Sequence, residues 1–231
     1  GIPRDINEAI YYFTKASDLG DNVAQNNLGS IYYLYKKDYQ KAFHYIQLAA
    51  KNNNSISQHA LACFHLLGEH VEYNVNKGIK YLNLSAENGN NMAIFKLGLF
   101  YHIGKFVKKD SNKALHYYKL LTSLKDQYSK NNIALIYKNG DGVQKNIANA
   151  FIYLEEAIKE KNDILALINL AKIHLTEKDY FDINKSIYLL SKASKLDMEY
   201  SPVLLGFVLV KKLGFSITLD LIENELKKCV I

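Results

Sequence analysis

Two glycines one residue apart, Gly140 and Gly142 in "YKNGDGVQKN", are residue types that can cradle a phosphate with backbone amides. His59 and Cys63, four residues apart on one helical face, with His102 at a comparable place one repeat later, offer the imidazole and thiolate donors that hold zinc. Neither pattern is completed by its surroundings. No strand-like run precedes the glycines and no Gly-Lys-Ser/Thr ending follows them, so the phosphate reading is weak. The histidine–cysteine pair lacks a convincing fourth ligand, and His65 and His174 elsewhere stand where tyrosines recur, as ordinary packing residues. The signatures GxSxG, HExxH and SxxK do not occur. No catalytic residue, metal ligand or cofactor site is therefore assigned, and a non-enzymatic protein is expected.

The glycines are explained by what surrounds them, a repeat. Ala9, Ala42, Gly78, Ala114, Ala150 and Ser186 are all small and follow at intervals of 33 and then 36 residues. Three positions beyond come Tyr12, Tyr45, Tyr81, Tyr117 and Tyr153, with Leu189 in the last copy; seven beyond come Ala16, Ala49, Ser85, Leu121, Ala157 and Ala193. Offsets of three and seven share one helical face. A second series lies between: Leu28-Gly29, Leu61-Ala62, Leu97-Gly98, Ile133-Ala134, Leu170-Ala171 and Leu205-Gly206. Each unit is thus a pair of helices, with the small residue where their backbones approach closely. In this frame Gly140 ends the first helix with a left-handed cap, Gly142 permits a tight turn, Val143 anchors the loop and Asn146 caps the next helix. Gly104, Val107 and Asp110 repeat those roles one unit earlier, and Asp5 caps the opening helix.

Composition agrees with an all-α chain. Of 231 residues 48% are hydrophobic, enough for a core, and only 2 are proline. The net charge is +6, yet Arg4 is the only arginine. Sequence-reading nucleic-acid binders depend on the bidentate arginine fork, so specific nucleic-acid binding is not expected. The tyrosines resemble a stacking platform for bases, but their repeat register makes them core. Asn53-Asn-Ser, Asn83-Leu-Ser and Asn184-Lys-Ser fit the glycosylation pattern, as chance triplets do in an Asn-rich chain. Cys63 and Cys229 make no disulfide framework, which leaves the compartment open. No apolar run reaches membrane-span length; the longest, "PVLLGFVLV", meets Lys211 and Lys212.

The run "MAIFKLGLFYHIGKFVKKDSNKALHYYKLL", with "AQNNLGSIYY", "GVQKNIANAFIYLEEA" and "PRDINEAIYYFTKASDLGD", resembles the Sel1-like repeat, a relative of the tetratricopeptide repeat. The resemblance implies an all-α, right-handed α-solenoid of about six antiparallel helix pairs. One array spans 1–231, opening at the second helix of a repeat and closing with a capping helix at 214–231. The second unit has a shortened loop at "YKKDYQ", and the fifth loses its loop glycines in "LTEKDYFDI". Some cysteine-rich relatives are linked to β-lactam binding, but this chain lacks their cysteine pair in each repeat.

A solenoid without chemistry of its own works as a binding surface. By resemblance to tetratricopeptide arrays, the first helix of each pair lines the concave face. Counting three before, one after and four after the small residue gives Asn26, Ser30 and Tyr33, then His59, Cys63 and Leu66. Phe95, Leu99 and His102 follow, then Asn131, Leu135 and Lys138, and finally Ile168, Lys172 and Leu175. The expected function is a scaffold or adaptor that takes a partner protein or peptide in this groove. The Lys/Asn/Ile/Tyr-rich composition points toward a bacterial virulence or signalling protein, secreted, periplasmic or host-exposed. The alternatives are a cell-wall or β-lactam-related hydrolase or binding module, and a regulatory module of a larger membrane or quality-control protein. Oligomeric state is not legible.

Overall fold

Asp5, Asp21, Asp38, Asn54, Asn74, Asn90, Asp163 and Asp182 each turn a side-chain oxygen back onto the first amides of a following helix, at 2.8–3.1 Å. Asp110 and Asn146 do the same, to Lys113 and Asn149. A short polar acceptor at each start satisfies amides that no helical carbonyl can reach. The structure is a computed structural model and describes residues 5–124, 129–161, 163–196 and 201–212. Among them are twelve α-helices and no strand. They are α1 (Ile6–Asp18), α2 (Asn22–Ile31), α3 (Tyr39–Lys51), α4 (Ser55–Leu67), α5 (Val75–Glu87) and α6 (Asn91–Ile103). Then come α7 (Ser111–Ser123), α8 (Ser129–Asn139), α9 (Ile147–Lys161), α10 (Ile164–Thr176), α11 (Ile183–Ser194) and α12 (Ser201–Lys212). The expected capping helix at 214–231 lies outside the described residues. Among those described, no helix is long and apolar enough to cross a membrane.

Even-numbered helices are the first of each pair and odd-numbered ones the second. Two compact units divide the chain, Gly1–Leu121 and Thr122–Ile231. Inside the first unit the core is Ala24, Leu28, Ile46, Leu61, Ala62, Leu82, Ala93, Leu97 and Ala114; inside the second it is Ile133, Ala134, Ala150, Leu154, Leu167, Ala171, Leu190 and Ala193. Both repeat series of small residues contribute, because a bulkier side chain would hold the helices apart. A Cβ at Gly98 would stand 2.8 Å from Cε1 of Tyr118, inside contact distance. Gly206 departs from its expected role: it is exposed, and among the described residues nothing lies within 4 Å of where its Cβ would be.

The tyrosine series is explained by stacking. Each second-helix tyrosine meets the aromatic three past the small residue of the first helix: Tyr32–Tyr45, His65–Tyr81, Tyr101–Tyr117 and Tyr137–Tyr153, with centroids 5.6–6.0 Å apart. Tyr12, in the same register on α1, has no described first helix before it and is exposed.

The loops answer what the glycines do. Gly68, Gly104 and Gly140 all have φ between 69° and 76°, a left-handed cap where glycine avoids steric cost. Two residues on, His70, Phe106 and Gly142 are again left-handed, at φ 60–66°. Each loop then closes by a bond from the next cap's N–H to a first-helix carbonyl: Asn74 to His65, Asp110 to Tyr101, Asn146 to Tyr137, all at 2.9 Å. The pair Gly140/Gly142 is thus a corner, and Phe106 shows that its second position is not reserved for glycine. The two irregular loops solve the corner differently. After α2 the chain widens into a π-helical turn, Tyr32–Lys36, and Lys37 takes the left-handed place at φ 54°. After α10 a short 3-10 turn, Lys178–Tyr180, intervenes, and Asp182 still donates to the His174 carbonyl.

Polar bridges join successive pairs. Gln25 and Gln58, nearly inaccessible, each donate to a second-helix carbonyl (Ser17, Ala50) and accept from an asparagine amide, Asn52 or Asn88, at 2.9–3.0 Å. At the same register of the second unit Lys130 instead bridges the two helices of its own pair, reaching Glu160 at 2.6 Å and Glu156 at 3.2 Å on α9.

Candidate functional site

The residues expected to line the groove are all on first helices or the turn after α2, and the structure engages them unevenly. Asn26 Oδ1 accepts from the Ser57 hydroxyl at 2.8 Å, tying α2 to α4, and Ser30 donates back to the Asn26 carbonyl. Tyr33 donates to Glu69 at 2.9 Å, and this bond to a carboxylate, with some burial, raises its pKa. In the second unit Asn131 is 5% exposed and accepts from Asn169 at 2.8 Å, so it serves the contact between α8 and α10. Leu135 and Lys138 are half-buried.

His59 and Cys63 do meet: Sγ lies 3.8 Å from Nε2. The third group beside them is Lys96 of α6, whose Nζ donates toward Cys63 Sγ at 3.6 Å. Burial and then the Lys96 charge lower the His59 pKa, which favours a neutral imidazole. Among the described residues no three His, Cys, Asp or Glu side chains converge as metal ligands, and His102 sits instead edge-on to Tyr118, centroids 6.2 Å apart. Phe95 approaches the same ring at 6.0 Å. Tyr118 is fully buried, its hydroxyl finds no partner among the described residues, and burial drives its pKa far upward. Phe95 and His102 are therefore lids on a core tyrosine, each half-buried, with Leu99 half-buried between them.

Sequence reasoning missed two features. The first is Lys96, one residue past Phe95. The second is a set of exposed apolar side chains at the ends of the first helices: Ile56 and Leu67 on α4 (60% and 69% exposed), Met92 and Ile103 on α6 (61% and 55%). Their signal was in the spacing. Met92, Phe95, Leu99 and Ile103 fall at i, i+3, i+7 and i+11, one stripe of a helix that is also apolar on its opposite, packed face. Ile56, Cys63 and Leu67 repeat the stripe on α4. In the second unit an open hollow of about 490 Å³ is lined by Thr122, Ser123, Lys130, Asn149, Ile152, Tyr153 and Glu156. Its lysine is already held by Glu156 and Glu160.

Comparisons with known proteins place this geometry. The Sel1 repeat family model matches residues 1–21, 22–54, 55–90, 91–126, 127–162 and 164–198. Those copies begin at the first helices α2, α4, α6 and α10 within a residue, and one opens two residues before α8. The structure is similar to a Sel1 repeat protein from Oxalobacter formigenes, 26% identical, over 85% of this chain and 82% of that one, with a TM-score of 0.69. It is also similar to a protective antigen present in uropathogenic Escherichia coli strains that displays an SLR fold: 22% identity, TM-score 0.78, 97% of this chain and 49% of that one. The chain thus spans about half the length of the antigen. No curated protein sequence matches it. Six matched copies, paired helices with small residues at each close approach, and loops closed in one way lead to one conclusion: the chain belongs to the Sel1 repeat family, whose members generally serve as protein-interaction scaffolds.

Proposed function

We propose that this chain is a non-enzymatic adaptor that recognises a partner protein through the face presented by its first helices, and that in the first unit this face is built on α4 and α6. The observation that carries the reading is the pair of stripes Ile56–Cys63–Leu67 and Met92–Leu99–Ile103. Their end residues remain more than half exposed although they stand in register with a well-packed core. Large apolar side chains left together in water mark interaction surfaces. The central residues Phe95 and Leu99, half-buried, have the partial exposure that suits anchors. The finer setting, a bacterial virulence or signalling adaptor, draws its support from the composition.

The test uses the purified chain as bait against lysate of its source cells, beside two folded variants. Leu67→Ser with Ile103→Ser removes exposed edges only, and circular dichroism should match the parent. Proteins captured by the parent should be lost. Phe95→Ala with Leu99→Ala should also lose them, with a modest fall in stability because Phe95 rests on Tyr118. An unchanged set of captured proteins with both variants would move the binding surface elsewhere.

A further inference from the structure

Two partly buried lysines, Lys96 and Lys130, differ in their partners. Lys130 at the joint of the second unit has two carboxylates within 3.2 Å. Lys96 is half-buried in the apolar stripe of α6, its ammonium 3.6 Å from the Cys63 thiol, and among the described residues no carboxylate pairs with it. A thiol is a weak acceptor, and a cation on apolar surface is stabilised far more by an anion. The first helices of this unit supply none. α2 with the turn after it, α4 and α6 contain no aspartate or glutamate along their whole length. His59, whose pKa the Lys96 charge helps to lower, cannot serve as a counter-ion.

The flanks of this cation are apolar. On α4 and on α6 the exposed residues lie eleven positions apart, Ile56 to Leu67 and Met92 to Ile103, which at helical rise is about 16 Å. Lys96 falls one turn beyond Met92 and about two turns before Ile103. The face offers helix sides and no strand edge, so an extended peptide laid here would leave its backbone groups unpaired. A helix brings its own backbone bonds and needs only side-chain complementarity.

Building on the proposed adaptor role, we propose that α4 and α6 receive an acidic amphipathic helix of another protein. Its apolar side chains seat on Ile56, Leu67, Met92 and Ile103, and a carboxylate between them seats on Lys96. An ammonium that meets a thiol and no carboxylate, on helices without an acidic residue, sets the sign of the partner, and the two apolar edges set its length at about three turns. A nucleic acid would use the cation but gain nothing from the four aliphatic side chains around it.

The experiment is fluorescence anisotropy with the intact chain and two labelled helical peptides of 15 residues. Both carry Leu at i, i+4, i+7 and i+11; one has Glu on the flanking positions, the other Lys. The Glu peptide should bind at least about tenfold more tightly than the Lys peptide, the scale of one well-placed charge pair. Lys96→Gln should cost about tenfold for the Glu peptide, Lys96→Glu should reverse the preference, and salt should weaken only the Glu peptide. Equal binding of both peptides, with both lost in Leu67→Ser/Ile103→Ser, would sink the acidic preference while leaving the docking face in place. Failure of either peptide to bind would overturn the proposal, even if the lysate capture succeeds. Displacement of the Glu peptide by poly(U) RNA, with loss only on Lys96 substitution, would overturn it in favour of a nucleic-acid surface.

Discussion

Gln58 in the first unit and Lys130 in the second stand at the same place in their repeats, four residues before the small residue of the first helix; Gln58 ties its pair to the preceding one, whereas Lys130 ties together the two helices of its own pair. The chemistry differs. Gln58 has a donor and an acceptor, so one amide bridges the Ala50 carbonyl and the Asn88 side chain, a neutral link that is 2% exposed. Lys130 can only donate, and it gathers Glu156 and Glu160, both about half exposed. The partner changes with it: Asn88 and Glu160 are both ten residues past the small residue of the second helix. At the same two places further along are Leu167 and Leu196. The repeat fixes where two side chains meet and leaves open how they are matched. A buried amide must satisfy every polar atom inside, whereas an ion pair can leave part of its solvation to water.

The largest effect should come from the repeat between these two, where Ile94 takes the register of Gln58 and packing replaces a polar bridge. Gly98→Leu would drive a side chain into the Tyr118 ring and should cost about 3 kcal/mol in urea melts, the upper range of overpacking. A midpoint unchanged from the parent would show that close approach is not what holds this repeat. Next, Gln58→Leu keeps the volume but strips Ala50 and Asn88 of their partner. We expect a loss of about 1–2 kcal/mol, the same at low and high salt. A loss that vanished in salt would make this joint electrostatic after all.

Lys130→Met should cost less, about 0.5–1 kcal/mol, because both carboxylates can recover water. Burial lowers the Lys130 pKa, but hydrogen bonds to Glu160 and Glu156 outweigh it, so the folded value is raised above 10.5. The pair's contribution is therefore whole below about pH 10.5 and is lost as pH climbs through the raised value. The gap between parent and Lys130→Met should stay constant from about pH 7 to 10.5 and close above it, a trend that melts at three pH values would check. A gap that widened at high pH would reverse the assignment. The smallest effect is expected from Lys130→Leu with Glu160→Leu, which copies the residue types found at the same two places further along, Leu167 and Leu196: stability within about 0.5 kcal/mol of the parent. A drop several times larger would mean that the charge, and not the register, secures this joint.

Much of this was legible in the residue order. The small-residue series, the caps at Asp5 and Asn146 and the corner at Gly140 follow from local rules, since helix periodicity and turn sterics act within a few residues. The repeat register marked the tyrosines as core, whereas the structure leaves Tyr45, Tyr81, Tyr117 and Tyr153 half-buried and stacks each on a ring of the first helix. The candidate face was legible only in part. Counting offsets marked Phe95, Leu99 and Asn131 as equivalent in kind, but Asn131 is enclosed by its bond from Asn169 and Phe95 leans on Tyr118. Those fates depend on what stands 23 and 38 residues away. Gly206 fits the series by letter, yet none of its described neighbours comes close.

The sequence by itself determined that the chain is a run of helix pairs, where several of the helices are capped, and which side faces its partner helix, because these are set by nearest neighbours and a short period. Only the tertiary structure decided which side chains on the other face are spent. Burial, pairing and charge there depend on contacts between repeats: Asn26 is consumed by Ser57, Gln58 by Asn88, while Lys96 meets a thiol and no acid. No local rule can supply that, since a side chain's solvation is a property of everything packed around it.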